Sequence, residues 1–327
     1  MKQFAVTIVV SVYNVESVLN QVLQSIVLQT YPVREVLLID NRSTDQSVVV
    51  ADKFIKQHKR VPMRIIRRDR TYGISESYNL GAKLAKTDYI VTLHSDSMLP
   101  TRYELARLMV PLEKDPHGYI AAMPIVVHRK KEWEQYNFWQ KCLFAHIVGR
   151  QEHALSGNFD AYKRAVFLSL GGYDTKHFNN FIGSEDADMH FRLKKAGNIA
   201  KTNARVVHMH VNDPSYRLGD WLARRKFLAI SYGRQLQLHV QDMGPLALAP
   251  FFVKPALALV SVLALWNWVY ILPLLLFPFF YMSVMFRSPE TNRDSRILLL
   301  PFIIIFLVFY ETYFMLYSFW FFKERRV

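Results

Sequence analysis

Three places in this 327-residue chain have residue types and spacings suited to chemistry. The densest holds Glu185, Asp186 and Asp188, with Asp160 a short way upstream. One carboxylate within about 3 Å of a hydroxyl can act as a general base. The same residues also suit the first turn of a helix, where the dipole favours each by about 0.3–1 kcal/mol. On that reading Ser184 is a candidate N-cap and Gly197 a candidate stop. The second place is His94-Ser95-Asp96-Ser97, at the end of an apolar run. Residues 94 and 96 of an extended chain point the same way, so an imidazole and a carboxylate could share one divalent cation. Mg²⁺ and Mn²⁺ favour oxygen ligands and keep positions for phosphate oxygens. A turn held by local Asp and Ser hydrogen bonds is the competing reading. The third is Asp40 in "LLIDNRSTD", either an acceptor for a base or ribose or a cap for a helix starting near Ser43. His208 and His210 end "VVHMH" and could add an imidazole to a metal site or contact phosphates.

These residues need elements to position them. Through the first ~125 residues, apolar runs alternate with helical patterns, which predicts βαβ units and a mainly parallel sheet. The strands read "AVTIVVSVY", "EVLLID", "MRIIRR", "YIVTLHSD" and "YIAAMPIVV". Between the first two, "VESVLNQVLQSIVLQ" places Val18, Val22, Ser25 and Ile26 on one helical face. Ligands of such sheets bind beyond the carboxyl ends of the strands, so Asn14, Asp40 and Asp96 count most. The turn after the first strand, Ser11-Val12-Tyr13-Asn14, has neither dinucleotide-binding nor P-loop glycines. That argues against a dehydrogenase and a P-loop NTPase. Residues 120–215 are more irregular, and within them 120–160 carry Trp133, Tyr136 and Trp139, either a wall that selects substrate or a shoulder resting on a membrane.

Hydrophobic residues make up 51% of the chain, and they concentrate at its end. Ala247–Phe286 contains one charge, Lys254, and Ile297–Phe322 also one, Glu311. About 20 apolar residues span a bilayer core, so two or three membrane helices are expected, at 246–265, 269–286 and 297–322. Pro250, Pro255, Pro273 and Pro278 could break the first stretch, and Trp266-Asn267-Trp268 reads as an interfacial turn. The start reads as a buried strand rather than a signal peptide, so a cytoplasmic domain over 1–240 and a membrane domain over 241–327 are expected, in a multi-pass protein of the cell membrane. Basic residues in 287–296 and 323–326 do not choose an orientation. The formal net charge of +14 suits anionic headgroups or phosphorylated substrates. No nucleic-acid-binding motif is present. The single cysteine, Cys142, excludes an internal disulfide and a cysteine-rich metal site. "DWLARRKFLAISYGRQLQ" reads as a basic amphipathic helix just before the membrane region.

Taken in order, "VSVYN", "LLIDNRSTD", "GISESYNLGAKLAKTDYIVTLHSDS", "LSGNFDAYKRAVFLSLGGYD" and "SEDADMHFRLKKAG" resemble the family 2 glycosyltransferases of the A-type nucleotide-sugar fold. The resemblance covers roughly residues 4–210. It implies an α/β, Rossmann-like sheet followed by membrane helices. It also implies an inverting transfer from a nucleotide-sugar donor, with Mg²⁺ or Mn²⁺, to a lipid-linked or glycan acceptor. By the resemblance, Asp40 binds the base, with Val12, Asn14, Arg70 and Ser95 around the nucleotide. Asp96, with His94 and His208, takes the metal. Asp186 is the general base and Glu185 positions the acceptor. Asn158, Arg224 and Arg225 are candidates for contact with acceptor or diphosphate. The chain departs from the family pattern in carrying His94 for the first Asp of D-x-D, Asn41 for a second Asp, and Ser77-Tyr78-Asn79 for Ala-Arg-Asn. It also lacks the Gln-x-x-Arg-Trp motif of processive synthases. Transfer to a free polyprenyl phosphate, or a non-catalytic membrane subunit with a degenerate metal motif, are the alternatives.

Overall fold

A computed structural model describes residues 5–114, 117–178, 183–209, 212–285 and 294–321. His210, Arg287, Arg293 and the basic tail, weighed above, lie outside the described residues. In chain order the elements begin with β1 (Val6–Val12), α1 (Glu16–Val27), β2 (Val33–Asp40), α2 (Ser47–Gln57), β3 (Met63–Arg67), α3 (Ile74–Leu84), β4 (Tyr89–His94) and β5 (Ser97–Met98). Next come α4 (Glu104–Lys114), β6 (Tyr119–Val127), α5 (Lys130–Glu134), α6 (Phe138–Phe144), β7 (Gln151–His153), β8 (Phe159–Lys163) and α7 (Arg164–Ser169). The last are α8 (Glu185–Ala196), β9 (Asn198–His208), α9 (Leu218–His239), α10 (Pro245–Val262), α11 (Leu272–Met285) and α12 (Leu300–Phe321). They gather into two compact units, one of residues 1–129, 149–180 and 185–211, the other of 130–148, 181–184 and 212–327.

The first unit is built on a nine-stranded sheet in the order β3-β2-β1-β4-β8-β6-β9-β5, with β7 paired to β6. β1 is apolar without interruption except at Thr7 and Ser11, and every residue in it is buried. Alternate side chains supply two cores: Ile8 and Val10 pack with Leu19, Val22 and Ile26 of α1, while Val9 packs with Leu37, Ile39 and Ala82. A strand covered on both faces needs such a continuous run. α3 approaches β1 so closely that a Cβ at Gly81 would lie 2.2 Å from Val9. β1 pairs in parallel with β2 and β4, and β2 with β3. The expected parallel sheet is therefore present, but β8 enters between β4 and β6, antiparallel to both.

In the second unit, Phe138, Trp139, Cys142, Trp221, Leu300, Ile304 and Leu307 form one apolar core. Trp139 stacks on Trp221, with ring centroids 5.7 Å apart. Trp133, Tyr136 and Trp139 are all buried, so they are core residues here, neither a substrate wall nor an exposed shoulder. α9 packs on α12 rather than lying free on a surface. A Cβ at Gly233 would meet the Met315 carbonyl oxygen at 2.1 Å, and Ser318 Oγ donates to the Ile230 carbonyl at 2.8 Å.

Two helices are long and apolar enough to cross a membrane, Pro245–Leu265 and Ser295–Phe321, and Trp268–Ser283 is a shorter apolar one. The expected proline breaks are absent: α10 runs through Pro250 and Pro255, and α11 through Pro278. The break falls instead at 3₁₀ turns around Trp266-Asn267-Trp268, whose tryptophans are 82% and 70% exposed.

Candidate functional site

The strand order of the first unit reverses between β1 and β4, the position at which open α/β sheets bind ligands. A cavity of about 470 Å³ opens there, lined by Ser11, Asn41, Gly73, His94, Ser95 and Asp96 among others. Two of its bordering loops hold non-glycine residues in the left-handed region, Asn14 at φ 49° and Arg42 at φ 64°. Asn tolerates that conformation because its side chain can bond locally. Asn14 Oδ1 accepts from Thr44 N at 2.8 Å, tying the loop after β1 to the loop after β2.

β4 runs straight into the His94–Asp96 turn. The two-residue β5 pairs with the end of β9, setting Ser97 opposite His208, and Met209 N donates to the Asp96 carbonyl at 2.9 Å. This pairing brings in a side chain 112 residues away: His208 Nε2 lies 3.2 Å from Asp96 Oδ2. One ligand atom each from His94, Asp96 and His208 falls within 4.8 Å of the others. Burial lowers the His94 imidazole to about 4, against the pull of Asp96 and with His208 adding to the fall. His94 is thus a neutral ring, the form that ligates a metal. Two imidazoles and one carboxylate fit a divalent cation, and the nitrogen donors suit Mn²⁺ better than Mg²⁺.

The acidic stretch does start a helix, α8, with Glu185, Asp186 and Asp188 in its first turn. Ser184 is not an ordinary extended cap, since its φ is 75°. The three carboxylates part company. Asp188 is buried and receives Arg192 Nε at 2.8 Å, while Arg192 Nη1 donates to the carbonyls of Leu170 and Gly172. That clamp fixes α8 to the turn after α7. Asn79 secures the same turn, its amide giving to and taking from the Tyr173 backbone, both at 2.8 Å. Glu185 and Asp186 remain half-buried, and Asp186 Oδ1 accepts from Ala187 N at 2.8 Å. Gly197 ends the helix as expected, its N–H meeting the Leu193 carbonyl.

Beneath α8 lies a buried polar floor that the sequence reading did not foresee. Asp160 Oδ2 accepts from Ser156 N at 2.9 Å, from Gly157 N, and from Tyr162 Oη at 3.4 Å. Asp160 Oδ1 has no hydrogen-bond partner among the described residues. Burial, with the negative charge of Asp186 adding to it, pushes the Asp160 carboxyl up to about 8, although its backbone donors pull the other way. Tyr162 and Tyr173 hydroxyls meet at 3.0 Å. Tyr78, whose ring stacks near His94, donates to the Gly157 carbonyl at 3.0 Å. Burial foremost, then Tyr173, Asp160, Asp96 and Glu185, hold Tyr78 as a neutral phenol, so this one side chain lies under the influence of both the His94–Asp96 turn and the acidic helix. The signal available in sequence was an Asp inside an apolar strand, "NFDAY".

The other expected residues make the following contacts. Asp40 is buried and its Oδ1 accepts from Ser43 N at 3.1 Å. That bond belongs to a turn, since α2 begins only at Ser47. Val12 is buried. Asn41 links three segments: its amide donates to Ser77 Oγ at 2.7 Å, Ser11 Oγ at 3.1 Å and the Gly73 carbonyl at 3.5 Å. A carboxylate, the family's residue here, could not donate to a carbonyl. Arg70 stacks on Tyr72 at 4.6 Å, as does Arg68 at 3.8 Å, on the loop bordering the cavity. Asn158 Oδ1 accepts from Ser97 Oγ at 2.8 Å, bracing the segment that follows the His94–Asp96 turn. In the second unit Arg224 lies over Phe227, and Arg225 is committed to Glu311 at 2.6 Å.

The sequence profile of Glycosyl transferase family 2 matches residues 7–171. Glycosyltransferase GlyG of Streptococcus pneumoniae serotype 4 is 33% identical over 104 residues, 30% of this chain and 34% of that protein. A PGL/p-HBAD biosynthesis glycosyltransferase of Mycobacterium bovis is 26% identical over 228 residues, 68% of this chain and 82% of that protein. The chain spans from about a third to just over half the length of the first curated relatives it matches. Among solved structures, the mannosyltransferase PcManGT from Pyrobaculum calidifontis, in complex with GDP-Man and Mn²⁺, aligns with a TM-score of 0.62. It covers 99% of this chain and 89% of that one at 16% identity, a likeness of fold.

Proposed function

Because the chain belongs to glycosyl transferase family 2, we propose that it moves a sugar, with inversion, from a nucleoside-diphosphate donor to a lipid-linked or glycan acceptor at a membrane surface. The observation that carries this reading is the His94–Asp96–His208 trio beside a cavity at the strand-order reversal. The two long apolar helices support the membrane placement. The GDP-Man complex of the mannosyltransferase PcManGT supports the donor class.

The nucleotide occupies the cavity, with Ser95 in its wall and Val12, Asn14, Asp40 and Arg70 next in sequence to lining residues Ser11, Tyr13, Asn41 and Thr71. A divalent cation held by His94, Asp96 and His208 would neutralise charge on the departing diphosphate. Asp186 takes the proton from an acceptor hydroxyl oriented by Glu185. That oxygen forms its bond to the anomeric carbon as the bond to the diphosphate oxygen breaks on the opposite face. Asp188–Arg192 and Asn79 keep the base in register, because a general base must stay within about 3 Å of its proton. The catalytic domain faces the cytoplasm in this scheme.

The test is turnover of a nucleotide-sugar panel by detergent-purified protein with Mn²⁺ or Mg²⁺ and a membrane lipid extract. Asp186→Asn is expected to lose at least about 100-fold, the size of a general-base contribution. Equal turnover by both proteins would remove Asp186 as base and favour a phosphate acceptor such as a polyprenyl phosphate. No release of nucleoside diphosphate from any donor would favour a non-catalytic subunit.

A further inference from the structure

Three charged side chains meet inside the second unit, where α10 and α12 are otherwise apolar. Arg225 comes from α9, Lys254 from α10 and Glu311 from α12. Arg225 Nε donates to Glu311 Oε1 at 2.6 Å, and Lys254 Nζ donates to Glu311 Oε2. The side chains are 15%, 17% and 9% exposed, so all three are largely withdrawn from solvent. One carboxylate thus serves two cations, and the cluster carries a surplus positive charge. Uncompensated charge in apolar surroundings is expensive, and ionisable groups kept there mark sites by default.

The cluster also faces space. A cavity of about 80 Å³ is lined by Arg225, Lys254, Glu311, Thr312, Tyr232 and Phe251 among others. That is room for several waters, and so for a tetrahedral oxyanion. Thr312 Oγ1 is buried and has no hydrogen-bond partner among the described residues. A buried hydroxyl without a partner has lost its hydration uncompensated, and an incoming acceptor would offset that loss. Arg and Lys together are the usual partners of phosphate, and the surplus charge matches a singly charged group. The surplus also disfavours a metal ion. Phe252, Leu259 and Phe302, on α10 and α12, are at least half exposed and offer apolar surface for a hydrocarbon tail.

We propose that the Arg225–Lys254–Glu311 cluster is a binding site for the phosphate of an anionic lipid, seated between the two cations and accepting a hydrogen bond from Thr312. This rests on the reading that α10 and α12 lie in a bilayer. It does not depend on the identity of the transferred sugar or on turnover.

The test uses the full chain in detergent and measures Tm and binding with dioctanoyl phosphatidic acid, dioctanoylglycerol and inorganic phosphate. Wild type should bind the phosphatidic acid at least tenfold more tightly than the diacylglycerol, and should show no shift with inorganic phosphate. Arg225→Gln and Lys254→Met each leave a neutral ion pair, so both should fold, and both should lose the tenfold preference. Glu311→Gln should lower the Tm without lipid yet gain more from phosphatidic acid than wild type does, because a competing anion is gone. A purely structural cluster would lower the Tm in all three variants and leave lipid preference unchanged, which would overturn the proposal. Equal shifts from phosphatidic acid and diacylglycerol would overturn it too, as would an equal response to inorganic phosphate. Flotation with phosphatidylcholine vesicles separates the two readings. Protein that floats without a phosphate preference removes this site alone. Protein that does not float removes the bilayer reading as well.

Discussion

Asp160 and Glu311 are both buried carboxyl groups, set in different surroundings. Under the acidic helix, Asp160 meets two backbone N–H groups and a tyrosine hydroxyl, with no cation among its bonds. In the second unit, Glu311 meets Arg225 and Lys254 at once. The first site handles its charge by keeping a proton, which is why its carboxyl is pushed up to about 8 by burial. The second handles it with an excess of countercharge. A proton can be lost as pH changes, whereas a surplus cation stays until an anion arrives. The first arrangement therefore answers to pH and the second to ligands.

The largest break in this comparison is Glu311→Gln. Removing the carboxylate that the two buried cations share is expected to cost about 3–5 kcal/mol in lipid-free detergent, measured by thermal or chemical unfolding. Asp160→Asn comes next and sharpens the contrast through pH. The folded state keeps the Asp160 proton up to about 8, whereas an unfolded aspartate loses it near 4. Between those values the folded state holds the extra proton, so wild-type stability falls as pH rises through the window. Asn cannot ionise, so the Tm of Asp160→Asn relative to wild type should climb steadily from pH 4 to pH 8. A constant difference across that range would show that Asp160 does not titrate there.

Gly172→Ala tests whether the floor depends on the turn above it. Gly172 has φ 73°, and an added Cβ would meet Asn79 Oδ1 at 2.2 Å. A loss of about 1–3 kcal/mol is expected, with Asp186-dependent turnover falling alongside stability. Tyr162→Phe is the mildest change. It removes the hydroxyl between Asp160 and Tyr173 and should cost about 1 kcal/mol, visible as a small Tm drop.

Much of the first unit was legible in the sequence, because β1, β4 and the second half of β2 are buried and mostly apolar. The His94–Asp96 turn could be read because period-two alternation sets both side chains on one side. The position of β8 could not, since its pairing partners are set by register between distant segments. The Asp160 floor escaped for a related reason. Its tyrosines come from α3, β8 and the turn after α7, and only the fold brings them together. Prolines in the apolar stretch misled, because α10 continues through Pro250 and Pro255 and gives way only at the 3₁₀ turn that follows Val262. Arg225 read as a phosphate ligand at the surface, and Glu311 as a lone charge in a span. Neither could announce the other from 86 residues away.

The pairing of β5 with β9 has a consequence for how the molecule is made. The cavity-lining residues all lie within the first 96 positions, so that wall can take shape early. The trio waits for His208, and bringing residues 112 apart together costs about 4 kcal/mol in loop-closure entropy. That expense is met only when β9, among the last strands to leave the ribosome, docks along β6. A chain cut short before residue 208 would keep the cavity wall without the third member of the trio. Cation affinity, as proposed for the trio, would then separate chains that have docked β9 from those that have not.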